Sequence, residues 1–422
     1  MLDHVRPQYA KKFQCIGSEC EDHCCHGWLV TIDKDSYLKY QATPALRKML
    51  DECFVLSSNP TENRYAVFKH TLSTNCPMFS SDRLCSIHKE YGADYLPKTC
   101  ATYPRATRRI DGLLEHPLFL SCPEAARLVL LDPQLMSGKE GVVEDRKYFR
   151  FLAAMGESIP AHNDPFRYFW EGREFSLLLT QDRRYPLWQR LFILGMFCKR
   201  LDTVIADPRA GSVPKLLRDY AEIAAQGKLR AAMDGIPPRP AVQLKMVLDV
   251  VKHHLTSQDP RFCRFLECLQ DFLHGTGNHD AAQKLNSSAP QVTFTLDLDS
   301  STGQYVEAYD RYYAPFMERH PFLLENYLIN YILMMRFPFP CNSQGQFISP
   351  QQQFLLLCLE FAVIKGLLIG MAGHSREKFA PEHVVKLIQA VAKSIEHSET
   401  FVRALNWQGL ADSNSVAALL KN

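Results

Sequence analysis

The stretch Cys15-Ile-Gly-Ser-Glu-Cys20-Glu-Asp-His-Cys24-Cys25 decides how the first third of this chain is read. Cys76, Cys85 and Cys100 follow after a gap long enough for the chain to fold back, so up to seven thiols can converge on one point. Thiolates are soft donors that suit zinc, copper(I) and iron–sulfur clusters. The spacing lacks the Cys-x2-Cys knuckles of zinc ribbons, the ferredoxin run, and a Cys-x3-Cys-x2-Cys loop. Adjacent Cys24 and Cys25 are expected to point apart, so that only one of them reaches a given centre. His23, His26 and His88 flank the thiols in a supporting position at most.

A single buried cysteine is ordinarily a small hydrophobe, and Cys53 is set aside on that ground. The set as a whole is different, because nine of the 14 cysteines lie before residue 125. A disulfide framework suits small secreted domains. This chain has 422 residues and opens on Met-Leu-Asp-His-Val-Arg-Pro, without the apolar run of a secretory signal, so reduced thiols in the cytoplasm are expected. There are more thiols than zinc needs, which favours an iron–sulfur cluster of the 4Fe-4S type, with structural zinc as the alternative. Ser121-Cys122-Pro123 opens a further helix, and its positive end is expected to favour thiolate at Cys122.

A formal charge of +2, from 48 basic and 46 acidic residues, leaves no overall footprint for nucleic acid or an anionic membrane. The one stretch apolar enough to suggest a membrane is 354–373, but Glu360 and Lys365 interrupt it, so a buried helix is expected. Peripheral association with a membrane surface and oligomerisation are left open.

The fold class predicted is mainly α: a small cysteine-rich metal-binding domain with minor β structure over 1–135, then a larger all-helical domain over 140–422. Strands are expected near 27–32 and 65–72, with a helix from about Ser36. A hairpin is expected over 108–115, around Asp111-Gly112. Beyond residue 140, apolar positions recur at helical spacing near 146–156, 164–181, 186–206, 213–233, 241–257 and 260–274. A polar, loop-like connection is expected over 278–304. Helices then follow over 305–319, 322–336, 350–372, 382–397 and 401–408. Gly275-Thr276-Gly277 follows a helix instead of a strand, so it reads as a helix stop, and no dinucleotide-type glycine turn is present.

Several blocks resemble the flagellin lysine-N-methylase family of enteric bacteria. They are the 15–28 block, Cys-Pro-Met-Phe at 76–79, Leu-Cys-Ser-Ile-His at 84–88, Thr-Cys-Ala-Thr-Tyr-Pro-Arg at 99–105, Ser-Cys-Pro-Glu-Ala-Ala-Arg at 121–127 and Glu-Asn-Tyr-Leu-Ile-Asn-Tyr at 325–331. The cysteine pattern also resembles a wider group of zinc- or iron-chelating domains. The first resemblance implies methyl transfer from S-adenosylmethionine to lysines of flagellin, with a cysteine-held iron–sulfur centre. It carries Cys15, Cys20, Cys24, Cys25, Cys76, Cys85 and Cys100 over as ligand candidates, with Cys122 as a further, outside candidate. An open iron site would then be one place for the methyl donor.

Lysine methylation needs a neutral amine and is helped by aromatic walls around the cation. Tyr305, Tyr309, Tyr312 and Tyr313 on one helix, and Tyr327 with Tyr331 on the next, supply aromatic hydroxyls at helical spacing. Asn326 and Asn330 share a face, with Glu325 beside it. Tyr327, Tyr331 and Glu325 are the expected catalytic group. A self-satisfied, tyrosine-rich helix pair is the plainer reading. The competing functions are a non-enzymatic metal-binding protein with a structural thiol claw and an iron–sulfur redox enzyme.

Overall fold

Asp33 starts the first full helix of the N-terminal region, Lys34–Ala42, from extended backbone, and its carboxylate accepts from Ser36 N at 3.1 Å. The same buried side chain accepts from Lys98 N at 2.8 Å, so one N-cap ties two distant segments together. Burial alone would raise the Asp33 pKa, but the Lys98 and Ser36 donors outweigh it and hold it below its usual value. The computed structural model describes residues 8–71, 74–106, 108–110, 113–135, 165–255, 263–285, 298–340, 347–394, 416 and 419–421.

Among these residues the chain forms two units. The first comprises Met1–Val129 with Ser257–Glu267 and Val385–His397, and the second the remainder. The first unit is therefore discontinuous, unlike the single 1–135 span that the sequence suggests. Its later segment is held by side-chain chemistry that no local pattern announces. Gln389 Nε2 donates to Asp22 Oδ2 at 2.8 Å and to the Ser121 carbonyl at 2.9 Å, and Lys393 pairs with Asp22.

The first unit carries a three-stranded antiparallel sheet in the order β1–β3–β2. β1 is Thr31–Ile32, β2 is Phe54–Thr61 and β3 is Arg64–Phe68, with Ile32 opposite Ala66 and Val55 opposite Val67. β1 is shorter than the 27–32 strand expected, and β2 has no counterpart in the sequence reading. Its side chains are largely exposed, so the alternating apolar signal of a half-buried strand is weak there. A two-stranded hairpin pairs β4, Arg108–Ile110, with β5, Leu113–Glu115, as the Asp-Gly turn predicts. Ile32, Tyr40, Leu46, Leu50 and Ala66 form the fully buried centre of this unit, and Cys25, Cys85 and Cys100 pack against it.

The second unit is helical. Leu187–Ala206, Pro240–Leu255, Leu298–Ala308 and the Tyr309–Tyr313 turn pack on Pro350–Ser375, the core helix, and Phe169–Gln181 and Val213–Gln226 pack in turn on Leu187–Ala206. By length and composition this helix could cross a membrane, yet 89% of its apolar window is buried inside the protein. Glycine explains the close approach: a Cβ on Gly275 would lie 1.8 Å from the Gly370 carbonyl oxygen. Gly277, with φ +77°, ends that approach as the helix stop predicted.

His279–Leu285 and Leu298–Ala308 are helical where a polar connection is expected, and the run between them, 286–297, lies outside the described residues. The helices expected near 146–156 and 401–408 also lie outside them. Tyr309–Tyr313 is a π-helical turn set between Leu298–Ala308 and Ala314–Arg319. Pro315 accounts for it: it has no N–H for the Arg311 carbonyl, and its ring crowds that carbonyl, so the turn widens.

Candidate functional site

In the first unit, backbone bonds join the two thiol groups. The Cys76 N–H donates to the Cys25 carbonyl at 2.8 Å, Arg83 donates to the Cys20 carbonyl, and the Trp28 indole donates to the Cys24 carbonyl. Phe79 bridges Cys85, which caps the Ser86–Tyr91 helix, and Cys100 lies on Lys98–Thr102. Burial pushes the Cys100 thiol up, and the charges of Cys24, Cys76 and Cys85 add to the shift. Burial first, then neighbouring thiols, pushes Cys76 up to about 12.

Cys24, Cys25, Cys76, Cys85 and Cys100 thus share one neighbourhood. Cys20 interacts with Cys24 at its margin, and Cys15 is exposed. Cys53 lies within electrostatic reach of Cys76. The vicinal pair corrects the expectation that the two point apart. The Cys24 and Cys25 thiols hydrogen-bond each other, which draws Cys24 down to about 7 and pushes Cys25 up. Cys122 corrects another: although the Glu124 and Ala125 N–H groups favour thiolate, burial outweighs them and raises it to about 12.

Among the described residues no group of three or more His, Cys, Asp and Glu side chains is arranged to hold a metal ion. Five thiols in one neighbourhood nonetheless suit a soft metal by donor chemistry. His23, next to Cys24 in the chain, adds a nitrogen to this donor set. Its ring stacks on Phe79 at 3.9 Å, and its Nδ1 is buried with no hydrogen-bond partner. Burial, and then the Lys393 charge, lowers its pKa to about 4.

The second unit holds a cavity of about 700 Å³. The Arg183–Trp188 turn, the Arg230–Asp234 helix, the π turn with the residues after it, and Phe361 and Lys365 of the core helix line it. Three of its arginines are already engaged. Arg183 and Arg190 both reach Glu325, at 3.0 and 2.8 Å, and Arg184 grips Asp182 at 2.7 Å. Arg230 has no ion-pair partner among the described residues and lies over the Tyr185 ring at 5.4 Å. Asp234 accepts from Gln189 at 2.6 Å, and Glu318 is exposed. The walls are therefore aromatic, with uncommitted charge of both signs.

Lys365 projects from the core helix and is only 7% exposed. Its Nζ donates to the Leu420 carbonyl at 2.8 Å and lies 5.8 Å from the Tyr309 ring centre. Burial alone lowers its pKa to about 7. Glu360, five residues earlier, is raised by burial to about 7, with the neighbouring Tyr327 hydroxyl acting in the opposite direction.

The structure brings Tyr309 and Tyr313 to the cavity, whereas the expected catalytic trio is not part of its lining. Glu325 is the buried clamp of Arg183 and Arg190. Tyr331 accepts from Gln353 Nε2 at 2.5 Å, and Tyr327 is buried beside Glu360. Asn326 donates to the Asp132 carbonyl at 2.7 Å, and Tyr305 donates to Gln243 Oε1. Lys365, Arg230, Asp234 and Glu318 carry no motif. The available signal is a lysine inside an apolar run, which reads equally as an interruption of a membrane span.

The profile of the FliB lysine N-methylase C-terminal domain matches residues 173–420. The chain is 23% identical over 405 residues to the lysine-N-methylase of Salmonella typhimurium, covering 93% of this chain and 92% of that protein. The lysine-N-methylase of Salmonella choleraesuis matches to the same degree. The flagellar biosynthetic protein FliU of Salmonella muenchen is 31% identical over 177 residues, 41% of this chain and 95% of that protein. No solved structure matches.

Proposed function

Because this chain belongs to the FliB lysine N-methylase family and is a protein-lysine N-methyltransferase, we propose that it transfers methyl groups from S-adenosylmethionine to flagellin lysines in the cytoplasm, within the cavity of the helical unit. The observation that carries this reading is the cavity itself, which lies inside the matched region and combines aromatic walls with unpaired charges. Its volume falls in the range of small-molecule sites. A sulfonium suits the faces of Trp188, Tyr309 and Tyr313. A carboxylate suits Arg230, and ammonium or ribose hydroxyls suit Asp234 and Glu318.

The thiol neighbourhood is the proposed cluster site, with Cys24, Cys76, Cys85 and Cys100 as ligands and Cys25 hydrogen-bonded to Cys24. A 4Fe-4S cluster bound there would supply a cross-link between three chain segments and a one-electron redox centre. The chain's own residues do the rest: the Cys76–Cys25 backbone bond holds the two loops together, and His23 Nδ1 offers the centre a nitrogen without another partner.

The test uses anaerobically purified full-length chain, flagellin and S-adenosylmethionine, followed by peptide mass spectrometry. The reading predicts flagellin lysines that gain one-methyl mass steps and matching formation of S-adenosylhomocysteine. Unmodified flagellin together with an unconsumed donor would overturn it.

A further inference from the structure

We propose that Lys365 takes the proton from the substrate lysine before methyl transfer, an assignment that rests on donor and acceptor meeting in the cavity. A free lysine titrates near 10.4, so at pH 7 only about one amine in 2,500 is neutral and carries the lone pair the reaction needs. The site must therefore accept a proton, and the best acceptor titrates near the working pH.

The cavity offers few such groups. Arg183, Arg184 and Arg190 are ion-paired cations and Arg230 is a permanent one. Burial raises the hydroxyl pKa of Tyr309 and Tyr313, so both are already protonated near neutrality. Asp234 and Glu318 are both exposed, so neither sits in the desolvated part of the cavity. Of the helices packed on the core helix, Leu187–Ala206 turns Arg190 inward. Leu298–Ala308 offers Tyr305, bonded to Gln243 of Pro240–Leu255, whose Lys245 and Asp249 are exposed. Lys421 lies over Trp188, 4.9 Å from its ring centre.

Lys365 is the remaining base. Its amine is buried at the cavity wall, it has no carboxylate partner among the described residues, and its hydrogen bond goes to a carbonyl, which leaves the nitrogen lone pair free. Burial keeps it substantially neutral at pH 7. The Tyr309 ring 5.8 Å away stabilises the ammonium once it forms. A second, incoming ammonium further disfavours two positive charges in one low-dielectric space.

The step balances. The substrate ammonium gives one proton to Lys365 Nζ, and its freed lone pair attacks the sulfonium methyl carbon. The N–C bond forms as the C–S bond breaks, with that electron pair passing to sulfur, which becomes a neutral thioether. The product is a methylated ammonium, and Lys365 then returns its proton to solvent.

The experiment compares the full-length wild-type chain with Lys365→Met and Lys365→Ala across pH. Methionine is an apolar near-isostere of a buried lysine, so Lys365→Met is expected to keep its melting temperature. Its kcat at pH 7 should fall about 100-fold or more. The wild-type profile should inflect near pH 7, whereas the Met variant should rise about tenfold per pH unit through that range, as the free amine does. Ethylamine or propylamine should restore Lys365→Ala in proportion to free-base concentration. A wild-type pH profile in Lys365→Met, or no amine rescue in a folded Lys365→Ala, overturns the assignment. Competitive acetylation of the wild-type chain decides the matter without turnover: a Lys365 reactivity midpoint near 7 supports the proposal, and one near 10 overturns it. A wild-type chain that transfers no methyl group defeats the methylation reading instead and leaves that midpoint to decide on Lys365.

Discussion

Glu325 separates two accounts of the helical unit, and its removal has a calculable effect. Its side chain is 5% exposed and accepts from Arg190 at 2.8 Å and from Arg183 at 3.0 and 3.1 Å. Glu325→Ala leaves Arg190 buried with only the Thr180 and Tyr185 carbonyls, each at 2.7 Å. Breaking one side of a buried ion pair costs roughly 3–5 kcal/mol, and those two carbonyls place this case near about 3 kcal/mol. For a unit of this size that corresponds to a fall of roughly 6–12 °C in Tm. Glu325→Gln keeps the shape and one acceptor oxygen and should cost about half as much. Glu325→Leu with Arg190→Met, which removes both charges together, should recover most of the loss. The assay is thermal and urea denaturation, with methyl transfer measured per folded molecule at a temperature where every variant is native. Unchanged stability with lost transfer in Glu325→Ala would refute the reasoning and return Glu325 to the reacting group that its place in the sequence suggests.

Other expectations follow from the same contacts. Cys85→Ser and Cys100→Ser should each lose iron and sulfide on anaerobic purification, whereas exposed Cys15→Ser should retain both; equal retention in all three would remove the shared neighbourhood as the cluster site. Gly275→Ala should destabilise the helical unit by at least about 3 kcal/mol, because the new Cβ meets the Gly370 carbonyl and the His374 N–H, and backbone cannot swing aside; denaturant midpoints check this. Asp33 has a folded pKa below its unfolded value of about 3.9, so its stabilisation is complete above that pH and is lost as pH falls through the folded pKa. Asp33→Ala should therefore cost about 2 kcal/mol at pH 7 and flatten the acid limb of the first unit's unfolding curve, and an unchanged acid limb would count against the capping account.

Much of the fold was legible because it depends on local rules. The Asp-Gly hairpin, the helix opened by Pro123, the stop at Gly275–Gly277 and the buried character of 354–373 all follow from residues acting on their immediate neighbours. What was not legible depends on distant partners. Asp22 holding Gln389 and Lys393, or Arg190 crossing to Glu325, leaves no trace in periodicity, and those bonds make the first unit discontinuous and turn Glu325 into a clamp. The thiols were found by type and number, but the meeting of Cys24 with Cys25 and the burial of Cys122 are matters of three-dimensional packing. Lys365 was visible as a charge in an apolar run. That it faces a cavity, and not a carboxylate, is set by Leu420 and Tyr309, which are remote in sequence. Pro315 did carry a local signal for the widened turn at Tyr309–Tyr313, and the general rule that helices tolerate proline near their starts masks it.

The most direct measurement is a structure of the anaerobically purified full-length chain with S-adenosylhomocysteine bound. The account predicts the product in the cavity of the helical unit, its carboxylate toward Arg230 and its sulfur on the side of Tyr309 and Lys365. Product bound instead at the thiol neighbourhood, with the cavity empty, would contradict the claim that methyl transfer takes place in the helical unit.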